Sequence, residues 1–237
     1  MQLDGDISFM RQTHWFDPSK IKTELTVIGC GGIGSWFSFL AAKMGIDKIT
    51  LYDDDIVESH NLPNQFFRMG SIGENKVDAL ANSVREFTAA EVKTEPNRFA
   101  NKAISGLVVS GVDSMKSREE IWRKLKGRKN VQRYWDARIG GENITIYSVD
   151  PNDEDECALY ETTLYSDDDA LELPCTQRAV IDIMGYTGSL LVTSIRKYLA
   201  GEKPHGLLIF NAETFYMDKC SLVDTNIEVD EKIMVTT

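Results

Sequence analysis

The sequence is poor in histidine and has no paired cysteines, and both absences narrow what it can be. Three histidines, His14, His60 and His205, stand far apart in 237 residues, and the four cysteines, Cys30, Cys157, Cys175 and Cys220, form no CxxC pair. A structural zinc needs a closed set of clustered nitrogen and sulfur ligands, so no zinc is expected. Widely spaced cysteines in a chain of this length are expected to be reduced thiols. No apolar run approaches the ~18–20 residues that span a bilayer, and residues 1–11 lack a basic-then-apolar leader. The expected compartment is the cytoplasm, with no membrane partner.

A basic stripe is also missing. The formal net charge is −11, and residues 150–172 hold ten acidic side chains with no Lys or Arg, which leaves the remainder near neutrality. Nucleic acid is therefore not expected as a partner, because nothing is placed to neutralise phosphates along a strand. The acidic stretch reads as a solvated loop. With 42% hydrophobic and 27% charged residues, the composition is that of an ordinary globular protein, and one domain over residues 1–237 is expected.

What is present alternates. Residues 24–29 (ELTVIG) form a short apolar run ending in glycine, and residues 33–44 carry apolar side chains at helical spacing. Residues 48–53 (KITLYD) repeat the strand pattern, and residues 73–87 are amphipathic with Val77, Leu80, Val84 and Phe87 on one face. Strands are expected at 91–95 and 107–110, then a serine-capped helix over 114–125. Strands at 130–136 and 143–149 follow with no helix between them, joined through Gly140-Gly141, so they are expected to pair antiparallel. A helix over 176–199 and strands at 206–211 and 214–217 close the pattern. The expected fold is α/β, a Rossmann-like doubly wound, mostly parallel sheet with antiparallel strands in the C-terminal half.

Gly29-Cys30-Gly31-Gly32-Ile33-Gly34 is a GxGxxG run between a strand and a helix. Glycines at Gly29, Gly31, Gly32 and Gly34 let backbone approach a phosphate, and the following helix offers unpaired N–H groups to the anion. Asp53 ends the second strand, where a carboxylate accepts hydrogen bonds from ribose hydroxyls. On these features alone a nicotinamide-dependent oxidoreductase fits equally well.

The segment from Asp53-Asp54-Asp55 through Glu58-Ser59-His60-Asn61-Leu62-Pro63-Asn64-Gln65, followed by Gly73-Glu74-Asn75-Lys76, separates the readings. It resembles the ThiF/MoeB/HesA and ubiquitin-activating family pattern DxDxVxxSNLxRQ with GxxK. Gly111-Val112-Asp113-Ser114 through Arg118 is similar to that family's DNxxxR element, and Met10-Arg11-Gln12 to its YxRQ element. The resemblance implies an adenylyltransferase that uses ATP and Mg2+ to activate the C-terminal carboxylate of a small ubiquitin-like or sulfur-carrier protein. It implies that Lys76 neutralises the triphosphate, that Asp113 holds the magnesium, and that Asp55, Asn61, Asn64 and Gln65 line the nucleotide site. It further implies a homodimer in which Arg11 reaches the neighbouring subunit's site.

Two features depart from or extend this pattern. Asn64 stands where the family usually has an arginine, and Arg68, four residues on, would substitute if that stretch is a helical turn. A catalytically silent nucleotide-binding or dimerisation scaffold is the alternative that this departure raises. Cys175 precedes a helix, a setting that lowers a thiol pKa, and resembles in context the family's conjugating cysteine. Arg138, beyond a strand end, is open to two roles, gripping the partner's tail or pairing with Asp136. Cys30, Trp36, Phe37 and Phe39 are expected in packing.

Overall fold

The computed structural model describes residues 7–100, 104–165 and 180–222. Eight strands form one sheet: β1 (Leu25–Ile28), β2 (Lys48–Tyr52), β3 (Glu91–Glu95), β4 (Gly106–Ser110), β5 (Val131–Gly140), β6 (Asn143–Val149), β7 (Leu207–Asn211) and β8 (Tyr216–Cys220). Their spatial order is β3-β2-β1-β4-β5-β6-β7-β8. The first five pair in parallel and the last three pairings are antiparallel. The helices are α1 (Gly32–Met44), α2 (Lys76–Phe87), α3 (Met115–Leu125), α4 (Glu154–Glu161) and α5 (Ile181–Leu199).

Side chains alternate across a strand, so each central strand feeds two cores. Val27, Leu107, Val109 and Trp135 enter the core under α1, α2 and α5. Ile28, Val108 and Tyr134 enter the opposite core with Ile121 and Trp122 of α3 and Tyr160 of α4. Burial on both faces explains why β1 and β4 are mostly apolar along their length rather than alternating. The order reverses between β1 and β4, and the crevice at such a switch point is where α/β sheets bind ligands.

The α/β expectation holds, with local corrections. Residues 150–172 do not read as a loop throughout, because α4 lies inside them. Asp153 caps α4 by accepting from the Glu156 N–H at 2.9 Å, and Cys157 and Tyr160 anchor its inner face. Glu156 pairs with the buried Arg133 at 2.9 Å and Glu161 with Lys126 at 2.6 Å, so these acids serve the fold. The expected start of the second helix at Gly73 moves to Lys76, since Gly73 has φ +91°. The last strand begins at Tyr216 because Asn211 Oδ1 accepts from both the N–H and the hydroxyl of Thr214, fixing a turn there. No helix of the described residues is long and apolar enough to cross a membrane.

Candidate nucleotide-binding site

The loops after β1, β2 and β4 meet at the switch point. The Gly29 N–H donates to Tyr52 O at 2.8 Å and the Gly111 N–H to Ile28 O at 3.0 Å, which sews the three strand ends together. Gly29 has φ +87°, a left-handed conformation that disfavours side chains. At Gly34 a Cβ would lie 1.8 Å from Gly29 O, so this glycine exists to bring α1 onto the turn. A Cβ at Gly32 would strike Met184 of α5 at 2.5 Å, whereas at Gly31 it would meet nothing within 4 Å. Three glycines thus build the turn and Gly31 faces open space. Gly31 is also the N-cap of α1 and offers no side-chain cap, leaving first-turn N–H groups for another acceptor. Gly34→Ala is expected to destabilise the chain by about 1–3 kcal/mol through overpacking, read as a lower denaturation midpoint.

Asp53 binds the glycine turn itself. Its Oδ2 accepts from the Cys30 N–H at 2.6 Å and its Oδ1 from the Asp55 N–H at 2.8 Å. Each oxygen keeps a second acceptor position for a ribose hydroxyl. Burial raises its pKa above the ordinary carboxylate value, against these two backbone donors and the nearby Lys76. Cys30 is fully buried, and burial pushes its thiol far up, so it packs as expected.

Lys76 opens α2, and its side chain is only 9% exposed. The Lys76 Nζ lies 2.7 Å from Asp55 Oδ2, while its N–H donates to Asp55 O at 3.0 Å. A short antiparallel bridge between Ile56 and Asn75 holds the two segments in register. Lysine, Asp55, Asp53 and the glycine turn are therefore one connected cluster. The carboxylates of Asp53, Asp54 and Asp55 can bring oxygens within 4.8 Å of one another, but Asp54 already pairs with Arg98 at 3.0 Å and Asp55 with Lys76.

Residues 61–66 close one side of the site. Ser35 Oγ accepts from the Phe66 N–H at 2.9 Å and Asn64 O accepts from Trp36 Nε1 at 3.3 Å, tying the segment to the first turn of α1. Asn64 Oδ1 and Gln65 Oε1 are buried without a hydrogen-bond partner among the described residues. Buried amides are rarely left so, and a ligand with polar groups would satisfy them. Asn61 is buried, and its Oδ1 caps the turn by accepting from the Glu58 N–H at 2.9 Å.

Arg68 and Arg11 stand apart from this cluster. Arg68 is extended (φ −88°, ψ 150°), not part of a helical turn, and pairs with Glu86. At 1.5 Å per residue, Glu86 lies about 15 Å along α2 from Lys76, so Arg68 does not replace the missing arginine. Arg11 is exposed beside Gln12, whose Nε2 donates to Met44 O at 2.6 Å. That anchor is the far end of α1, about 18 Å from the glycine turn of the same chain. Cys175 lies outside the described residues.

Asp113 is exposed at the carboxyl end of β4, and the loop carrying it is held from below. Arg118 of α3 donates to Val112 O at 2.5 Å and to Asp136 Oδ1 at 3.1 Å. Asp136 is fully buried and also accepts from Arg138 at 2.7 Å, Ser110 at 3.0 Å and Tyr160 at 3.0 Å. Burial opposes its charge, but the two guanidinium groups outweigh it and lower its pKa. Arg138 further donates to Thr163 O at 2.9 Å and lies over the Tyr147 ring, so its expected pairing with Asp136 is present. The pairing of Arg138 with Asp136 is one of the roles expected from the sequence, and the spacing of Tyr134, Asp136 and Arg138, two apart on one strand face, carries the rest of this hub on β5.

Taken together, the switch-point crevice, the glycine turn and the buried lysine define an α/β protein with a candidate nucleotide site at the switch point. The chain belongs to the ThiF family, whose model matches residues 20–228. It is 25% identical over 243 residues to ubiquitin-like modifier-activating enzyme 5 of Rattus norvegicus, covering 88% of this chain and 56% of that protein. The Arabidopsis thaliana protein of that name is 36% identical over 62 residues, covering 26% of this chain and 14% of its own length. The chain spans about half the length of the longer-matching relative from rat. Among solved structures, PaaA superposes with a TM-score of 0.68 at 16% identity over 93% of this chain and 76% of PaaA. E. coli MccB crystallised with AMPCPP and MccA gives 0.68 at 16% identity, over 89% of this chain and 67% of MccB. These likenesses establish the fold.

Proposed function

We propose that the chain is an ATP-dependent adenylyltransferase that activates the C-terminal carboxylate of a small ubiquitin-like or sulfur-carrier protein, or of a peptide, with release of pyrophosphate. The observation that carries this reading is the convergence of the open glycine turn, Asp53 and the buried Lys76 at one switch point in a ThiF family member. In this reading the ribose sits on Asp53, the phosphates lie over Gly31 against the N-terminus of α1, and Lys76 neutralises them. Asn64 and Gln65 line the same site, where their unpaired amide oxygens can accept from a hydroxyl or amino group of the nucleotide.

The residues fit a magnesium ion through Asp113, a carboxylate on a loop that Arg118 keeps fixed. The ion supplies charge stabilisation at the phosphates when bound. The partner's carboxylate oxygen attacks the α-phosphorus, the bond to the bridging oxygen of the β-phosphate breaks, and pyrophosphate leaves with the electron pair. The nucleophile is already anionic, so no general base is required. Cys175 then takes the acyl group as a thioester with release of AMP, a role argued from its sequence context alone. Gln12, next to Arg11, is anchored at the far end of α1 from the glycine turn, which supports a homodimer in which Arg11 completes the partner's site.

The test is exchange of labelled pyrophosphate into ATP, with magnesium and a small protein ending in Gly-Gly encoded beside the chain. Exchange that requires all three components, with AMP as the nucleotide product, is expected. Products of ADP and phosphate would overturn the assignment. Gly31→Ala should leave the melting temperature near that of the wild type and weaken ATP binding, because its Cβ would enter only the ligand's space.

A further inference from the structure

We propose that Asp55 competes with the phosphates of ATP for Lys76, holding the ammonium until a phosphate displaces it. The inference rests on the ATP reading above. Lys76 is the first residue of α2, where the helix already presents positive partial charge, so a lysine there is electrostatically adverse and the position calls for an anion. The Asn75 side chain makes no capping bond there. Asp55 provides the anion at 2.7 Å.

The two partners differ in freedom. The Lys76 side chain is 9% exposed and packed in place, whereas that of Asp55 is 65% exposed. When a stronger anion competes, the carboxylate can turn to water at little cost while the ammonium stays. The Asp55 backbone would not need to move, since its N–H is held by Asp53 and its carbonyl by the Lys76 N–H. With asparagine at position 64, Lys76 is the cation on which the phosphates chiefly depend, so competition for it sets the affinity. The penalty is largest for metal-free ATP, whose phosphates carry their full charge past Asp55. Asp54, one residue away, pairs with Arg98 instead and has no such role.

Calorimetric titration of ATP into the purified chain, first in EDTA and then in magnesium, tests this. Asp55→Asn is expected to bind metal-free ATP roughly three- to tenfold tighter than wild type. Asp54→Asn, which removes an equal charge next door, should change it by less than about twofold. Asp55→Glu should bind no tighter, and in a Lys76→Met background Asp55→Asn should lose its gain. Should the amide variant fail to fold, Asp55→Ser carries the same expectation. Wild-type binding with unchanged or weaker binding by Asp55→Asn would overturn the exchange role and leave the ATP reading standing, as would equal tightening by Asp54→Asn. A wild type that takes up no ATP under either condition would overturn both.

Discussion

Replacing Lys76 by alanine is expected to slow pyrophosphate exchange by about a hundredfold to a thousandfold, the usual cost of removing one preorganised group that meets transition-state charge. The size follows from what the site contains. The family pattern places an arginine where this chain has Asn64, and Arg68 is occupied by Glu86 at the far end of α2. Lys76 is thus the cation of the same chain that the glycine turn and Asp53 bring to the phosphates, and its burial strengthens its field there. Stability should respond differently. Removing the ammonium leaves Asp55, which is largely exposed and readily hydrated, so the melting temperature should fall little. Loss of folding in parallel with loss of exchange would assign Lys76 to the fold.

Asp136→Ala is expected to have the reverse profile, with a loss of about 3–5 kcal/mol of stability and a melting temperature lower by on the order of 10 °C. Asp136 is fully buried between Arg118 and Arg138, themselves 7% and 13% exposed, and its removal strands two guanidinium groups away from water. Chemical denaturation of the variant beside wild type measures this. The pH dependence follows from the lowered pKa of Asp136. A carboxyl group that ionises more readily in the folded chain contributes stability above its unfolded pKa, near 3.8, and loses it as pH falls through the folded value. The gap between wild type and Asp136→Ala should therefore be full at neutral pH and narrow below about pH 4. A gap independent of pH would mean that the carboxylate charge is not what holds the hub.

The parallel half of the fold was legible because its strands are buried on both faces and its helices are amphipathic, so each element carries its own periodicity. Helix α4 was hidden for a physical reason. Its apolar signal is reduced to Cys157 and Tyr160 among acids, and those acids find their partners, Arg133 and Lys126, only in three dimensions. At the site, the glycine turn, Asp53 and Lys76 could be read because each sits at an element end fixed by local rules. The pairing of Lys76 with Asp55 could not, since it depends on the bridge between Ile56 and Asn75. Arg68 points to Glu86 because the backbone there is extended, which local sequence spacing does not reveal. Asn61 carries a family motif position, yet its carbonyl oxygen is committed to capping the turn that presents Asn64 and Gln65.

The most direct test is a crystal structure of the chain with a non-hydrolysable ATP analogue and magnesium. The expected result is the triphosphate over Gly31 at the start of α1, the Asp55 carboxylate turned away with a phosphate oxygen in its place at Lys76 Nζ, and Asp113 on the metal. A nucleotide bound away from the glycine turn, or one bound there with Lys76 still held by Asp55 alone, would contradict it.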